Sequence, residues 1–190
     1  AITNAHGTYT RDLPLGSYTL APSGSDLYPV CPVGSPAVLE LTALVPLAAL
    51  DLADSSLIDL DLQALISAGP ARPGFVHQVQ AQVRNLSGQL SSTVDVTLTF
   101  NPQLEFMGSV PSASSLVGNV ATWTGLPAMA GLDMLDISVD MEVPADVGLI
   151  GSPIAYTMNV SQSFAESDLA NNIATWYDVI SGSFDPNEKI

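Results

Sequence analysis

Two acidic segments of the chain carry oxygen donors at a spacing that suits a divalent cation. Asp185, Asn187 and Glu188 place three oxygen donors within four residues, and Asp59 and Asp61 form a second pair. Ca²⁺ prefers such hard oxygen ligands, although neither segment matches a full EF-hand loop. The sequence therefore leaves two interpretations open: a calcium site, or an acidic turn in which Asp185 caps its own backbone.

A third oxygen-rich segment consists of Asp168, Asn171 and Asn172 and precedes the last predicted strand. Asp and Asn side chains commonly hydrogen-bond the backbone two residues further on and so stabilise a turn. We interpret this segment as an Asx-type turn that leads into a strand, in preference to a metal site.

Nucleophilic and acid–base catalysis find little support in the residue types. The two histidines are His6, which lies beside Gly7 in a turn, and His77, whose phase in an alternating segment points it inward. A nucleophile needs a base within reach, and the single cysteine, Cys31, has no histidine near it in sequence. Among 19 acidic residues, carboxylate pairs are inevitable and indicate little by themselves. The sequence predicts a protein that is not an enzyme.

Trp123, Trp176 and Tyr177 would form a sugar-stacking platform only if they faced outward together. Aromatic residues make up 6% of the chain, and large aromatic side chains contribute most to stability when they are buried in a core. We therefore favour core positions for them. A carbohydrate-binding or ancillary module of a secreted hydrolase stays as the alternative function.

The charge balance excludes two classes of partner. Across 190 residues, 19 Asp and Glu face 4 Lys and Arg, which gives a formal net charge of -15. Nucleic acids and anionic lipid surfaces need clustered cations, whereas the cations here are scattered along the chain at Arg11, Arg72, Arg84 and Lys189. The longest apolar stretch, residues 39–52, is interrupted by polar residues, so no membrane span is predicted.

The dominant pattern in the sequence is an alternation of apolar and polar residues with a period of two. Such alternation predicts strands with one face on a core and one face in water. Clusters of Gly, Pro, Asn and Ser separate the alternating segments at short intervals, which is typical of an all-β sandwich. The clearest predicted strands cover residues 58–64, 94–100, 137–143 and 154–160.

The strand pattern also predicts a domain boundary near residues 54–58. Residues 1–56 offer too few strands for a free-standing sandwich and are predicted to be a partial domain. Residues 57–182 offer about seven strands, enough for a sandwich of their own. Residues 183–190 are predicted to be a linker to a following module.

Residues 3–20, TNAHGTYTRDLPLGSYTL, resemble the hairpin of transthyretin-like modules, the carboxypeptidase regulatory-like or Cna-B-like group. In that group the hairpin belongs to the second half of the domain. The resemblance therefore implies a partial transthyretin-like β-sandwich at the start of this chain, with the other half of the domain upstream of residue 1.

Residues 57–190 resemble a repeat of large secreted proteins of the Bacteroidetes. The closing residues, GSFDPNEK at 182–189, are similar to the GSFDPNDK joint of those proteins, with Glu188 in place of Asp. The resemblance implies an immunoglobulin-like or fibronectin-like sandwich, export by the type IX pathway and a secreted or cell-surface location. The other matching segments are ARPGF at 71–75, Arg84-Asn85, Thr122-Trp123, Gly125-Leu126, Val143-Pro144, Ser167-Asp168 and Asn171-Asn172.

These observations predict a structural or adhesive module of an extracellular multidomain protein, or a subunit of an extracellular fibre. An incomplete sandwich exposes an unpaired strand edge, which a neighbouring segment has to cover. The expected partners are therefore neighbouring modules of the same polypeptide or identical subunits that donate a strand. Surface glycans are a further candidate partner, and calcium is the candidate cofactor.

Overall fold

A computed structural model describes residues 10–20, 27–31, 37–44, 46 and 51–182. The chain divides into two compact units, Ala1–Leu57 and Ile58–Ile190. Within the described residues, no helix has the length and apolar character of a membrane span. Several residues named above lie outside the described part of the chain: His6, Asp185, Asn187, Glu188 and the first half of the transthyretin-like hairpin.

The described part of the first unit consists of short antiparallel ribbons. β1 (Gly16–Leu20) pairs with β3 (Ala37–Leu41), and β2 (Leu27–Cys31) pairs with β4 (Ala53–Ser56). In the first ribbon Ala37 and Leu41 are buried, and the Tyr18 hydroxyl donates to the Pro14 carbonyl at 2.6 Å. β1 covers the end of the segment at residues 3–20 that resembles a transthyretin-like hairpin.

In the second unit, strands with one buried face follow one another along the chain. In the strand at Val94–Phe100, the four apolar residues are buried, whereas Asp95 and Thr99 between them are exposed. This alternation confirms the all-β prediction. In chain order the strands described in the second unit are β5 (Leu62–Ala68), β6 (Val76–Asn85), β7 (Val94–Phe100), β8 (Glu105–Val110), β9 (Ser115–Val117), β10 (Val120–Leu126), β11 (Met134–Glu142), β12 (Pro153–Ser161) and β13 (Ile173–Val179).

One strand begins later than the alternation predicts. The pattern over residues 58–64 predicts a strand there, but β5 begins only at Leu62. Leu60 is buried in the predicted phase, yet its carbonyl accepts a hydrogen bond from the backbone N–H of Ser167 at 2.9 Å. Because Ser167 belongs to a loop, Leu60 keeps the alternation of buried and exposed residues without being part of the sheet.

The strands form two antiparallel sheets with immunoglobulin topology. One sheet has the order β5-β6-β11-β8 and the other the order β13-β12-β7-β10-β9. Constant-type immunoglobulin domains place strands A, B, E and D on one sheet and C, F and G on the other. β5 to β8 and β11 to β13 reproduce that arrangement in chain order, and the β9–β10 hairpin extends the second sheet beside β7. The prediction of an immunoglobulin-like sandwich is confirmed.

The core lies between the inner faces of these two sheets. Its largest fully buried side chains are Trp123 and Tyr156, which lie among Leu, Ile, Val and Met residues from both sheets. The Trp123 indole donates its Nε1–H to the Pro111 carbonyl at 2.9 Å, so the ring is buried without losing its hydrogen bond. Each fully buried aliphatic side chain contributes about 1.5–3 kcal/mol, which makes this core the main stabilising term.

Asn85, at the end of β6, is a buried polar residue that joins two loops. Its Nδ2 group donates to the carbonyl oxygens of Gln89, Met129 and Ala130 at 2.7, 3.2 and 3.1 Å. Its Oδ1 accepts hydrogen bonds from the backbone N–H and the hydroxyl of Ser87 at 3.0 and 2.7 Å. The side chain is therefore fully satisfied and holds the β6–β7 loop against the β10–β11 loop.

Gly131→Ala is expected to destabilise the second unit by about 1–3 kcal/mol, the usual cost of overpacking a tight contact. A Cβ at this position would lie 2.5–2.7 Å from the backbone of Gly88 in the facing loop. Gly108→Ala is the matched control, because a Cβ there meets nothing within 4 Å. Urea unfolding followed by tryptophan fluorescence measures the change, and equal stability of the two variants would contradict it.

Candidate functional site

The loop between β12 and β13 meets the start of β5 at one end of the sandwich. The backbone N–H of Ser167 donates to the Leu60 carbonyl at 2.9 Å. Glu166 Oε2 accepts a hydrogen bond from the Leu62 N–H at 2.8 Å. These contacts bring five oxygen-bearing side chains together, which we call the rim cluster: Asp61, Glu166, Asp168, Asn171 and Asn172.

Asp61 is the buried carboxylate of the rim cluster, with only 5% of its surface exposed. Its Oδ1 and Oδ2 both accept hydrogen bonds from Asn171 Nδ2, at 3.2 and 3.1 Å. Burial raises the pKa of Asp61 above its ordinary value of 3.8, the Asn171 hydrogen bond opposes this, and the charges of Asp168 and Glu166 raise the pKa further. The ionised carboxylate is thus held in an unfavourable environment.

The two asparagines of the rim cluster have their amide oxygens unpaired. Asn172 is 5% exposed, and its Nδ2 donates to Glu166 Oε1 at 3.3 Å. The Oδ1 atoms of Asn171 and Asn172 are buried and have no hydrogen-bond partner among the described residues. Buried polar atoms are normally paired, so two unpaired oxygens beside carboxylates call for a physical explanation.

Asp168 forms the side-chain-capped turn that the sequence predicts. Its Oδ1 accepts a hydrogen bond from the Ala170 N–H at 2.8 Å. A 3₁₀ turn over Ala170–Asn172 follows and leads directly into β13. This turn holds both asparagines at the base of the last strand, where they reach Asp61 and Glu166.

Asp59 and Asp61, which the sequence paired, differ in their exposure to solvent. Asp61 joins the rim cluster, whereas Asp59 is exposed and lines a surface groove with Gln89 and Glu166. Glu166 was not singled out from the sequence, although its position two residues before Asp168 in an acidic loop was a usable signal. No three His, Cys, Asp or Glu side chains of the described residues are arranged as a metal site, so any cation there would also need amide oxygens.

His77 is a core residue that links the two sheets. Its Nε2 lies 2.6 Å from the Tyr156 hydroxyl, so the pair bridges β6 and β12. The ring is 6% exposed, and its Nδ1 is buried without a partner in the described residues. Burial lowers the pKa of His77, and the negative charge of Asp178 opposes this. Burial also raises the pKa of Tyr156, so both groups are neutral at pH 7.

The three candidate platform aromatics do not share a surface. Trp123 is fully buried in the core. Trp176 and Tyr177 are consecutive residues of β13, with 37% and 78% of their surfaces exposed. The core positions predicted for these two residues are therefore wrong, because β13 is an edge strand of its sheet. Consecutive residues of a strand point to opposite faces of the sheet, so these two do not stack side by side on one face.

No family model matches the chain, and no curated protein sequence matches it. Among solved structures, it is similar to the CARDB domain of a Pyrococcus furiosus protein in complex with di-metal ions, with 16% identity and a TM-score of 0.47 over 65% of this chain and 89% of that one. A cohesin module from a Clostridium perfringens family 33 glycoside hydrolase gives 8% identity and a TM-score of 0.46, over 66% and 100%. The sixth cohesin of Acetivibrio cellulolyticus scaffoldin B, in complex with a Cel5 dockerin, gives 16% and 0.39, over 65% and 94%. At these TM-scores the likenesses carry no argument about function.

The depressed pKa of His77 predicts that the second unit loses stability below pH 6.5. The unfolded chain binds the proton first, so the free energy of unfolding falls by up to about 1.4 kcal/mol per pH unit until the folded pKa is reached. His77→Gln cannot be protonated and should flatten this dependence, whereas His6→Gln should retain it. Urea unfolding at pH 7.5 and 5.5 measures the difference; an equal loss in wild type and His77→Gln would rule out this role.

Proposed function

We propose that the chain is a non-catalytic structural or adhesive segment of a secreted, multidomain bacterial surface protein. The observation that carries this proposal is the succession of two compact β units along the chain, the second with immunoglobulin topology. Sandwiches of this architecture recur in many cell-surface domains. Because a fold does not determine a function, the proposal also rests on the sequence motifs and on how the reactive groups are used.

Motif segments that resemble the Bacteroidetes repeat meet in the folded unit, which supports that assignment. The Gly74 N–H donates to the Val143 carbonyl at 2.8 Å, and Pro73 forms an isolated bridge with Val143. Gly74 has a φ of 77°, a conformation that favours glycine. Asn85 and Trp123, from two further motif segments, are buried. We therefore propose a repeat of this type, exported by the type IX pathway.

The use of the reactive side chains supports a non-catalytic role. His77 is hydrogen-bonded to Tyr156 inside the core, and its depressed pKa reflects burial before any neighbouring charge. General-base catalysis needs a group that reaches a proton on a bound substrate. A histidine with 6% of its surface exposed, held between two sheets, does not meet this requirement.

We propose modules at residues 1–56 and 57–182 and a joint at residues 183–190, where Asp185, Asn187 and Glu188 are candidate ligands for calcium between modules. The partners are then neighbouring modules of the same polypeptide or identical subunits. The described strands of the first unit form two-stranded ribbons. Such ribbons are marginally stable alone and gain from an added strand. Strand donation between copies would build a fibre, and surface glycans are the alternative partner.

If identical subunits donate strands, the purified chain is expected to form oligomers whose size rises with concentration. Each added strand would pair with a ribbon of the first unit and cover its edge. Size-exclusion chromatography with light scattering, from about 1 to 200 µM, measures this. If the chain is a monomer at every concentration in that range, strand donation between copies is ruled out, whereas the module assignment is unaffected.

Exchange of residues 57–182 in the full-length protein for an unrelated immunoglobulin-like domain of equal length tests the module proposal. Surface display should be retained, because the exchange preserves spacing. Loss of adhesion with retained display would indicate an adhesive role, and retention of both would indicate a spacer.

Catalysis is the outcome that would contradict the proposal. The purified chain is expected not to turn over chromogenic esters, glycosides or phosphomonoesters. Turnover that is abolished by His77→Gln or by Asp61→Asn would overturn the non-catalytic assignment. Specific signals on a glycan array, without turnover, would favour the carbohydrate-binding alternative over a spacer.

A further inference from the structure

We propose that the rim cluster is a Ca²⁺ site of the sandwich, with Asp61 and Glu166 as carboxylate ligands and Asn172 and Asn171 as amide ligands. The site goes beyond the proposed module function, and it adds donors from the β12–β13 loop to Asp61, which the sequence alone had paired with Asp59. It also differs from the candidate joint at Asp185, because the donors come from the start of β5 and from the β12–β13 loop.

The first argument is charge. Asp61 is buried, and the charges that act on it from Glu166 and Asp168 are negative. Burying an ionised carboxylate is costly unless it is paired with a cation or coordinates a metal. The Asn171 amide supplies a hydrogen bond to Asp61, at 3.1–3.2 Å, but no charge. A divalent cation bound to Asp61 and Glu166 would balance the charges of these two carboxylates.

The second argument is the pair of unpaired amide oxygens. The Asn172 side chain is buried, with only 5% of its surface exposed. It is directed into the cluster, because its Nδ2 contacts Glu166 Oε1. Its Oδ1 has no partner in the described residues, and neither does Oδ1 of Asn171. Each of the two amides that contact the carboxylates therefore keeps a free oxygen, which a cation bound at the cluster would use as a ligand.

The donor set selects among cations. Carboxylate and amide oxygens without His or Cys suit hard cations and disfavour zinc and copper. The ligands lie on a loop and a strand start, in an irregular arrangement that suits the flexible coordination of Ca²⁺ better than the strict octahedron of Mg²⁺. An affinity of about 10⁻⁴–10⁻³ M, typical of extracellular calcium modules, is expected. The expected affinity depends on the proposed extracellular location. The proposal of the site does not depend on it.

Thermal unfolding of the whole chain, followed by tryptophan fluorescence, tests the site. Both tryptophans, Trp123 and Trp176, lie on strands of the second unit, so the signal reports the sandwich. In about 150 mM NaCl, we expect about 10 mM CaCl₂ to raise the midpoint by about 3 °C or more over EGTA, because a ligand that binds only the folded state stabilises it. The same concentration of MgCl₂ should give less than half this rise.

Asp61→Asn is expected to abolish the calcium-induced rise. It should stay folded, because it keeps the side-chain shape and removes a buried charge that faces two like charges. Asp140→Asn is the matched control: it makes the same chemical change at an exposed position of β11 and should respond to calcium as the wild type does. Glu166→Gln provides a second test at an independent ligand, and it should weaken the response at least several-fold.

Two results would overturn the proposal. One is a wild-type midpoint that is the same in EGTA and in CaCl₂. The other is a calcium-induced rise that Asp61→Asn and Glu166→Gln both retain in full, which would indicate general screening of the net charge of -15. Neither result would bear on the module function, which the domain exchange tests separately.

Discussion

Each long strand of the second unit has to present an apolar face to the opposite sheet, and this requirement decides where polar groups can lie. Val79, Val96, Val139 and Met158, from four different strands, are fully buried. A polar side chain between the sheets loses its hydrogen bonds to water and is tolerated only where the fold supplies partners. The buried polar residues therefore mark points where the structure has a further requirement to satisfy.

Three of these buried polar residues differ in how well they are satisfied. Asn85 uses both its amide hydrogens and its oxygen and fixes two loops. His77 has one ring nitrogen paired and one unpaired, which suits a neutral ring in a core. Asn172 has its nitrogen on a carboxylate and its oxygen without a partner. Asn85 is thus part of a complete hydrogen-bond network, whereas Asn172 keeps a free oxygen that the proposed cation would use.

The phase of the strands was predictable from the sequence because burial in a sandwich alternates with a local period of two. The later start of β5 was not, because Leu60 keeps the period while its carbonyl pairs with a loop. The rim cluster was also out of reach. Asp61 and Asn171 are 110 positions apart in the sequence, so spacing alone placed them in two separate hypotheses. Asp61 and Asn171 come together only because the immunoglobulin topology places the start of β5 beside the β12–β13 loop.

The hydrogen bonds of the β12–β13 loop to Leu60 and Leu62 attach the residues before β5 to the sandwich. Asp61 lies between these two anchors, so its charge is held at a fixed place. Neutralising that charge removes a repulsion that works against both anchors, and a cation bound to Asp61 and Glu166 would join the strand start to the loop directly. Calcium would thus strengthen the attachment of β5, the first strand of the sandwich.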